Sequence, residues 1–545
     1  MLLCFWLWVQ SDPLFIEKAE ESGLAFQYCN GAYGNYWFPE ITGGGVALLD
    51  FDQDGDLDVF LIQATWLGPE SEKNKAWVPC TPQGGRLFKN LGNPLQFEDV
   101  TSKAGIATRG YGQGVAVGDV NADGWPDLYI TQFGSNELWL NQKDGTFKDA
   151  TESFGLKDGG WSTSATFLDY DRDGFEDLYV CHYVDYAISH APTCYATNSA
   201  QDYCGPDCCP ATQDSLYHNE KGQGFTNVSA LLTGFEKGAG LGVVSLDANG
   251  DLWPDLYVAN DGDANHLLIN SGKGTFSDEA LFSGLAVNAS GSPEASMGIA
   301  SGDFDRDGDE DLFLTHLDGE TNTLYRNAGG GDFQDRTAAM GLAGPSLPYT
   351  GFGTQFVDLD NDGWLDLVCF NGAVHSQVGI SPDHGALKQK NLIFMSLSGT
   401  KFAESTARGG AAFQVPSVSR GAAFGDLDND GDSDIIVSQL NAPVSLFLNQ
   451  VGQKQPWIGV HLLNAKGLDA LGAKVEAKME TGPSQFRWVR RDGSYASSND
   501  PRLLFGLGEQ KLKALIITWP DASQERLEAP ALNRYHRLTQ KSSKN

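Results

Sequence analysis

The chain has 545 residues, 41% hydrophobic and 20% charged, and its 37 Lys+Arg against 71 Asp+Glu give a formal charge of -34. That apolar content excludes a disordered acidic chain, and the charge excludes nucleic acid or an anionic membrane surface as partner. The length admits several domains, or one large repetitive domain with a smaller companion.

Residues 1–12 open on the apolar run MLLCFWLWV. The run is too short to span a bilayer, which takes about 20 residues, and it lacks the basic start and small-residue cleavage site of a complete secretory signal. We read it as the remnant of a signal peptide or a disordered end, with a buried strand as the alternative. No other stretch approaches a membrane span.

From residue 50 onward one nine-residue pattern, Asp-x-Asp/Asn-x-Asp-Gly-x-x-Asp, recurs: DFDQDGDLD from Asp50, DVNADGWPD from Asp119, DYDRDGFED from Asp169, DANGDLWPD from Asp247, DFDRDGDED from Asp303, DLDNDGWLD from Asp358 and DLDNDGDSD from Asp426. The period is about 63 residues, in the range of solenoids and propellers. Oxygen donors at alternate positions followed by Gly at a sharp bend wrap a hard cation, and a loop this rich in protein oxygens suits Ca²⁺ better than Mg²⁺. Cys and His are absent from the loops, which disfavours Zn²⁺ and copper. Position 12 is apolar or Cys in every copy, as in Leu61 and Val180, so these are not EF-hands, which need Glu there. The flanking runs, GGGVALL before and DVFLI after the first loop, for example, read as strands. Each loop is thus the tip of a hairpin.

Two more elements recur in register: a strand ending in Asn (RLFKN, ELWLN, SLYHN, HLLIN, TLYRN, SLFLN, with NLIFM the exception) and a strand opening on Phe (FEDV, FKDA, FTNV, FSDE, FQDR, FAES). The Phe element is missing after the seventh loop, but a copy stands at Phe15-Ile16-Glu17 before the first. Four strands per repeat, offset by one, predict a closed seven-bladed β-propeller over residues 13–450, with the N-terminal strand closing the ring. Residues 451–545 carry 15 basic and 9 acidic residues, a net of +6, against 22 and 62, a net of -40, before them. The sign change marks a boundary at about residue 451. We take the tail as an ordinary surface in preference to one docked on the acidic body. Its alternating strands (WIGVHLL, AKVEAKM, QFRWVRR, RLLFGLG, ALIITWP, ERLEA) make residues 451–540 a small β-sandwich-like domain. Trp457, Trp488 and Trp519 read as core, with a carbohydrate platform the minority alternative.

The loops resemble the FG-GAP/VCBS type of repeat, and NAKGLDALGAKVEA, QFRWVRRDGSYASSNDPRLLFGLG and IITWPDASQE resemble the ASPIC/UnbV domain. Together they resemble the cartilage acidic protein 1 family, without the EGF-like module of some members. The resemblance implies a secreted or surface-exposed Ca²⁺-binding protein with no settled biochemical activity. It assigns side-chain ligands to Asp50, Asp52, Asp54 and Asp58; Asp119, Asn121, Asp123 and Asp127; Asp169, Asp171, Asp173 and Asp177; and Asp247, Asn249, Asp251 and Asp255. The remaining loops supply Asp303, Asp305, Asp307 and Asp311; Asp358, Asp360, Asp362 and Asp366; and Asp426, Asp428, Asp430 and Asp434. Position-7 carbonyls come from Asp56, Trp125, Phe175, Trp253, Asp309, Trp364 and Asp432. Up to seven Ca²⁺ follow, the fourth loop departing most from the pattern through Asn249 and Leu252. A structural staple is favoured over a Ca²⁺ sensor, because extracellular Ca²⁺ modules remain loaded outside cells.

Four of the nine cysteines fall between Cys194 and Cys209. A disulfide-tied loop is favoured there over a Zn²⁺ site with His190. Cys194–Cys204 is the preferred bond, Cys208 or Cys209 is set with Cys80, and Cys181 and Cys369 read as buried thiols. No nucleophile–base motif stands out, and His316 and His375 read as satisfied surface residues near one rim. The reading is a secreted, periplasmic or cell-surface calcium-binding protein, non-catalytic, mediating recognition of or adhesion to an extracellular protein or glycan. The alternative is a propeller enzyme acting on extracellular polysaccharide from the central funnel.

Overall fold

The computed structural model describes residues 12–69, 84–232, 236–375 and 387–541. The apolar run at the N-terminus, like Cys4 and Cys80, lies outside them. Seven antiparallel four-stranded sheets follow one another along the chain. The first, blade 1, has strands Val46–Leu49, Asp58–Leu61, Arg86–Asn90 and Phe97–Asp99. The first strands of blades 2 to 7 are Tyr111–Gly118, Ser162–Leu168, Gly240–Leu246, Ile299–Gly302, Gly351–Val357 and Ser419–Gly425. Each first strand neighbours those of the blades on either side, and blade 7 meets blade 1, so the ring is closed. Phe15–Glu17 supplies the fourth strand of blade 7, Phe15 opposite Asn449 and Glu17 opposite Phe447. One blade thus joins both ends of the propeller sequence, leaving only short, protected edges.

Alternation along the strands builds the core between blades. Val357, Phe370, Phe413, Phe424, Val437 and Phe447 form one such buried layer with Phe15. Crowding at the axis explains the small residues of the inner strands: a Cβ on Gly298 would lie 1.9 Å from Phe352 O of the next blade.

The tail forms two sheets. One orders Leu503–Gly506, Trp457–Leu463 and Tyr535–Thr539, and the other Gln485–Trp488, Lys474–Met479, Leu512–Thr518 and Gln524–Glu528. The strand Tyr535–Thr539, which the sequence pattern does not mark, pairs in parallel with Trp457–Leu463. Trp457, Trp488 and Trp519 are all buried, so they form no exposed platform.

The tail does not stand apart as an ordinary surface. Between its strands Gln485–Trp488 and Leu503–Gly506 the chain leaves the domain and runs into the propeller axis. Segment 490–502 bonds to the first strand of every blade. Ser498 N donates to Val46 O at 2.9 Å and Val115 N to Ala496 O at 3.1 Å. Asp492 Oδ2 accepts from Thr166 Oγ1 at 2.6 Å and from Ser245 N at 2.8 Å. Ser494 and Ile299 exchange backbone bonds, Thr354 N donates to Ser494 Oγ at 3.3 Å, and Asp500 N donates to Phe424 O at 3.1 Å. Small and polar side chains fit because the axis is narrow; a Cβ on Gly45 would meet Ala496 O at 2.0 Å. Flanking arginines find the body's carboxylates: Arg490 pairs with Glu310 and Arg491 with Glu176, while Asp469 of the tail itself braces Arg491 from the other side. The expectation of an undocked tail fails because +6 against -40 is resolved into specific buried pairs rather than a diffuse field.

Candidate metal centres and the closed axis

The seven aspartate loops share one hydrogen-bonded frame. The position-1 carboxylate accepts from the position-6 N–H in every loop, as Asp50 does from Gly55 at 3.1 Å and Asp358 from Gly363 at 2.8 Å. The position-9 Oδ2 accepts from the position-2 N–H at 3.0–3.1 Å throughout. Its Oδ1 accepts from the last residue of the blade's third strand at 2.7–2.9 Å throughout. In the first, third, fifth and sixth loops the carboxylates converge. Those of Asp50, Asp52 and Asp58, of Asp169, Asp171 and Asp173, of Asp303, Asp305 and Asp311, and of Asp358, Asp360 and Asp366 each place oxygens within 4.8 Å of one another.

The fourth loop keeps the same backbone. Position 6 is left-handed in all seven loops; six place Gly there, and Leu252 adopts φ +70°. Its donor set differs in Asn249, whose Nδ2 donates to Asp251 Oδ2 at 3.1 Å.

Burial makes these carboxylates hard to ionise unaided. It pushes Asp58 and Asp177 up to about 9 and Asp255 up to about 8. It also raises position 1, to about 6 for Asp50 and about 7 for Asp169 and Asp303, with neighbouring carboxylates adding to the effect. Several buried oxygens have no hydrogen-bond partner: Asp52 Oδ1, Asn121 Oδ1, Asp169 Oδ1, Asp305 Oδ1, Asp358 Oδ1 and Asp360 Oδ1. All six belong to positions 1 and 3. A buried acceptor without a donor costs about 1–3 kcal/mol, and a divalent cation satisfies several at once. The oxygen donor set fits Ca²⁺; at the third loop His218 Nδ1 also lies 3.2 Å from Asp177 Oδ1. Three of the four assigned side chains are thus brought together in each of the first, third, fifth and sixth loops, whereas the side chains of Trp125, Phe175, Trp253 and Trp364 carry no donor oxygen. Asp432 differs: it is fully buried with Oδ1 unpartnered, a seventh-loop carboxylate beyond the four assigned there.

Two sets of residues escaped the sequence reading. The first is the terminal Asn of the third strand. Asn141 Nδ2 donates to Phe51 O of the preceding loop at 2.8 Å and to Pro126 O of its own at 3.3 Å. Asn90, Asn219, Asn270, Asn327 and Asn449 reach the preceding loop in the same way. Blade 6 ends this strand in Ser396, which is why its sequence breaks the pattern. The second set is position 4, left-handed in every loop. Gln53 donates to Gly124 O of the next loop, Asn361 to Gly431 O at 2.8 Å and Asn429 to Asp56 Oδ1 at 2.8 Å. Arg172 stacks on Trp253 at 3.9 Å and Arg306 on Trp364 at 3.8 Å. The recurring Asn was the available signal for the first set; position 4 varies in type and gave none.

The tail sits on these loops. Lys466 Nζ donates to Gly174 O at 2.7 Å, Lys474 to Gly308 O, and Tyr535 Oη to Asp426 Oδ2 at 2.9 Å. Trp457 is packed so closely on Gly431 that a Cβ there would lie 1.8 Å from the indole. On the opposite side the turn Phe38–Ile41 is buried at the axis, and Tyr495 Oη of the inserted segment donates to Thr42 O at 2.9 Å. Arg420, fully buried, stacks on Phe352 at 4.0 Å and donates to Gly372 O and Ala373 O. The axis is therefore filled from both ends.

Cys194–Cys204 is a disulfide with Cα atoms 5.2 Å apart. Cys29 is also disulfide-bonded, its partner lying outside the described residues. Cys208 and Cys209 are free thiols, so neither bonds to Cys80; they lie beside each other instead. Cys181 and Cys369 are buried and free. His316 is not a surface residue. It is buried, with Ser296 Oγ at 3.1 Å and Thr321 O at 2.9 Å, and burial holds it down at about 4. His375 is exposed, 3.9 Å from Asp202.

A model of the ASPIC and UnbV family matches residues 464–545. The FG-GAP-like repeat matches residues 119–180, 247–314 and 303–369. Cartilage acidic protein 1 of Xenopus tropicalis is 26% identical over 336 residues, covering 60% of this chain and 49% of that protein. The Mus musculus protein of the same name is 26% identical over 271 residues, covering 49% and 40%. The match thus spans less than half the length of these relatives. Among solved structures, an Agrocybe aegerita lectin described as recognising non-reducing terminal N-acetylglucosamine aligns with TM-score 0.40 at 17% identity, over 68% of this chain and 90% of its own. The BP39L lectin from Burkholderia pseudomallei aligns with TM-score 0.42 at 9% identity, over 75% and 96%. Among the described residues no helix is long and apolar enough to cross a membrane. A ring of seven aspartate-tipped hairpins matched in part by the FG-GAP-like repeat, with a tail matched by the ASPIC and UnbV model, makes the chain similar to cartilage acidic protein 1.

Proposed function

We propose that the protein is a calcium-stapled, non-catalytic recognition or adhesion protein, secreted, periplasmic or on the cell surface, whose ligand, a protein or a glycan, is met by the propeller rim. The observation that carries the metal part is the set of unpartnered oxygens at positions 1 and 3. Such loops bind at about 10⁻⁴–10⁻³ M in extracellular modules and stay loaded where Ca²⁺ is millimolar. The disulfides at Cys194–Cys204 and Cys29 suit an oxidising compartment. The filled axis supports a non-catalytic reading, because segment 490–502 and the Phe38–Ile41 turn stand where a funnel enzyme would place substrate. Two measurements test the proposal. Elemental analysis of calcium-equilibrated protein should find several Ca²⁺ per chain, and a glycan and protein-partner binding screen with and without Ca²⁺ should find a ligand and no turnover. Absence of bound Ca²⁺, or hydrolysis of a polysaccharide, overturns it.

A further inference from the structure

The turn Gly205-Pro206-Asp207-Cys208-Cys209-Pro210 carries two adjacent thiols whose Sγ atoms lie 2.9 Å apart, well inside the van der Waals contact of two sulfurs. The backbone on both sides is held. Pro206 opens a short 3-10 turn with Cys208 at its end, Cys209 N donates to Pro206 O at 3.1 Å, and Asp185 N donates to Pro210 O at 2.8 Å. Both cysteines are half-buried against an aromatic cluster that includes Trp161, Tyr183 and Tyr186, so the sulfurs have little room to separate. No other described thiol competes for either: Cys194 and Cys204 are bonded to each other, Cys29 is bonded, and Cys181 and Cys369 are buried inside second strands of blades 3 and 6.

We infer that Cys208 and Cys209 are a reversible oxidation site that closes as a vicinal disulfide. The oxidant is a low-molecular-weight disulfide such as oxidised glutathione. Taking Cys209 as the first nucleophile, its thiolate attacks the reagent disulfide. It bonds to one reagent sulfur and expels the other as a thiolate. Cys208, giving up its proton, then attacks the Cys209 sulfur and expels the second reagent thiolate. Two electrons pass from the cysteines to the reagent, and the two protons end on the two reagent thiols. Adjacent Cα atoms are about 3.8 Å apart, below the usual disulfide span of about 4.4–6.8 Å. The small ring is therefore strained, and strained disulfides are the readily reduced ones. Cys194–Cys204, closing a longer loop at an ordinary span, serves as the internal standard.

The test is peptide mass mapping of the full-length protein after exposure to oxidised glutathione, denaturation with an alkylating reagent and digestion without reductant. The Cys208–Cys209 peptide should carry no alkyl group and be lighter by two hydrogens. In a graded reductant series it should become doubly alkylated at a lower concentration than Cys194 and Cys204. In Cys208→Ser the remaining Cys209 should be alkylated or carry glutathione. Full alkylation of both cysteines after oxidised glutathione, attachment of either to another cysteine, or reduction only after Cys194–Cys204 opens would each overturn the inference. A misfolded variant leaves the test intact, since the first two readouts use the parent protein.

Discussion

Glu40 illustrates how burial sets the behaviour of single residues at the closed axis. It is 1% exposed and accepts from Tyr203 Oη at 3.1 Å, yet burial pushes it up to about 8 from 4.5. A carboxyl raised in this way contributes stability that is fully present below the unfolded value and is lost as pH rises to the folded one. Glu40→Gln keeps an acceptor for Tyr203 and has no proton to lose. We expect it to match the parent's melting temperature near pH 4 and exceed it near pH 8, where the gain in unfolding free energy is a few kcal/mol at most, on the order of the linkage from so large a shift. Parallel melting curves across that range would show that Glu40 ionises freely. Asn141 acts through donors instead. Its amide serves two carbonyls in a site where it is 2% exposed. Asn141→Ala leaves both short of a donor, and we expect a loss of about 2 kcal/mol or more in urea denaturation at fixed Ca²⁺. A change within about 0.5 kcal/mol, the range of ordinary surface substitutions, would remove the latch.

Among the elements, segment 490–502 binds the two domains most tightly, and Arg491 is its anchor. Its guanidinium donates to Glu176 at 3.1 Å, to Asp469 at 2.9 Å and to Val117 O at 3.2 Å. Although burial opposes it, Arg491 together with His461 holds the Asp469 carboxyl well below the usual range. That stability is present above the unfolded value and is lost as pH falls toward the depressed one. Removing one partner of a buried pair strands the others, so Arg491→Met should cost about 3–5 kcal/mol, with a weaker dependence on pH in the acid range; denaturation at two acid pH values checks both. The hairpins and ring closure were legible in the sequence because their information is local: ligand spacing, strand alternation and the displaced copy at Phe15. The inserted segment was not. RDGSYASSND follows no strand period, and its partners lie on seven strands that no shared pattern marks as its receptors. The Asn latches were half legible, since the recurrence shows but the preceding loop that each one grips does not.

Across the whole molecule, charge, the proposed metal loops and domain docking meet on one face. The 28 ligand positions hold 26 Asp and 2 Asn in a chain of charge -34, and seven Ca²⁺ would bring that to -20. With free Ca²⁺ at about ten times the dissociation constant, each site adds about 1.4 kcal/mol, so a fully loaded ring gains about 10 kcal/mol, comparable to the whole stability of a typical domain. The tail is seated on the same loops, through Lys466 at the third, Lys474 at the fifth and Tyr535 at the seventh. Loosening those loops must therefore loosen its seat as well. We expect chelation with EGTA to lower the calorimetric transition of the full chain substantially while propeller and tail continue to melt together. If chelation instead left the melting curve unchanged, the loops would not be staples. If it split the curve, with the tail's transition unmoved, the metal would hold the ring alone and segment 490–502 would be anchored independently of it.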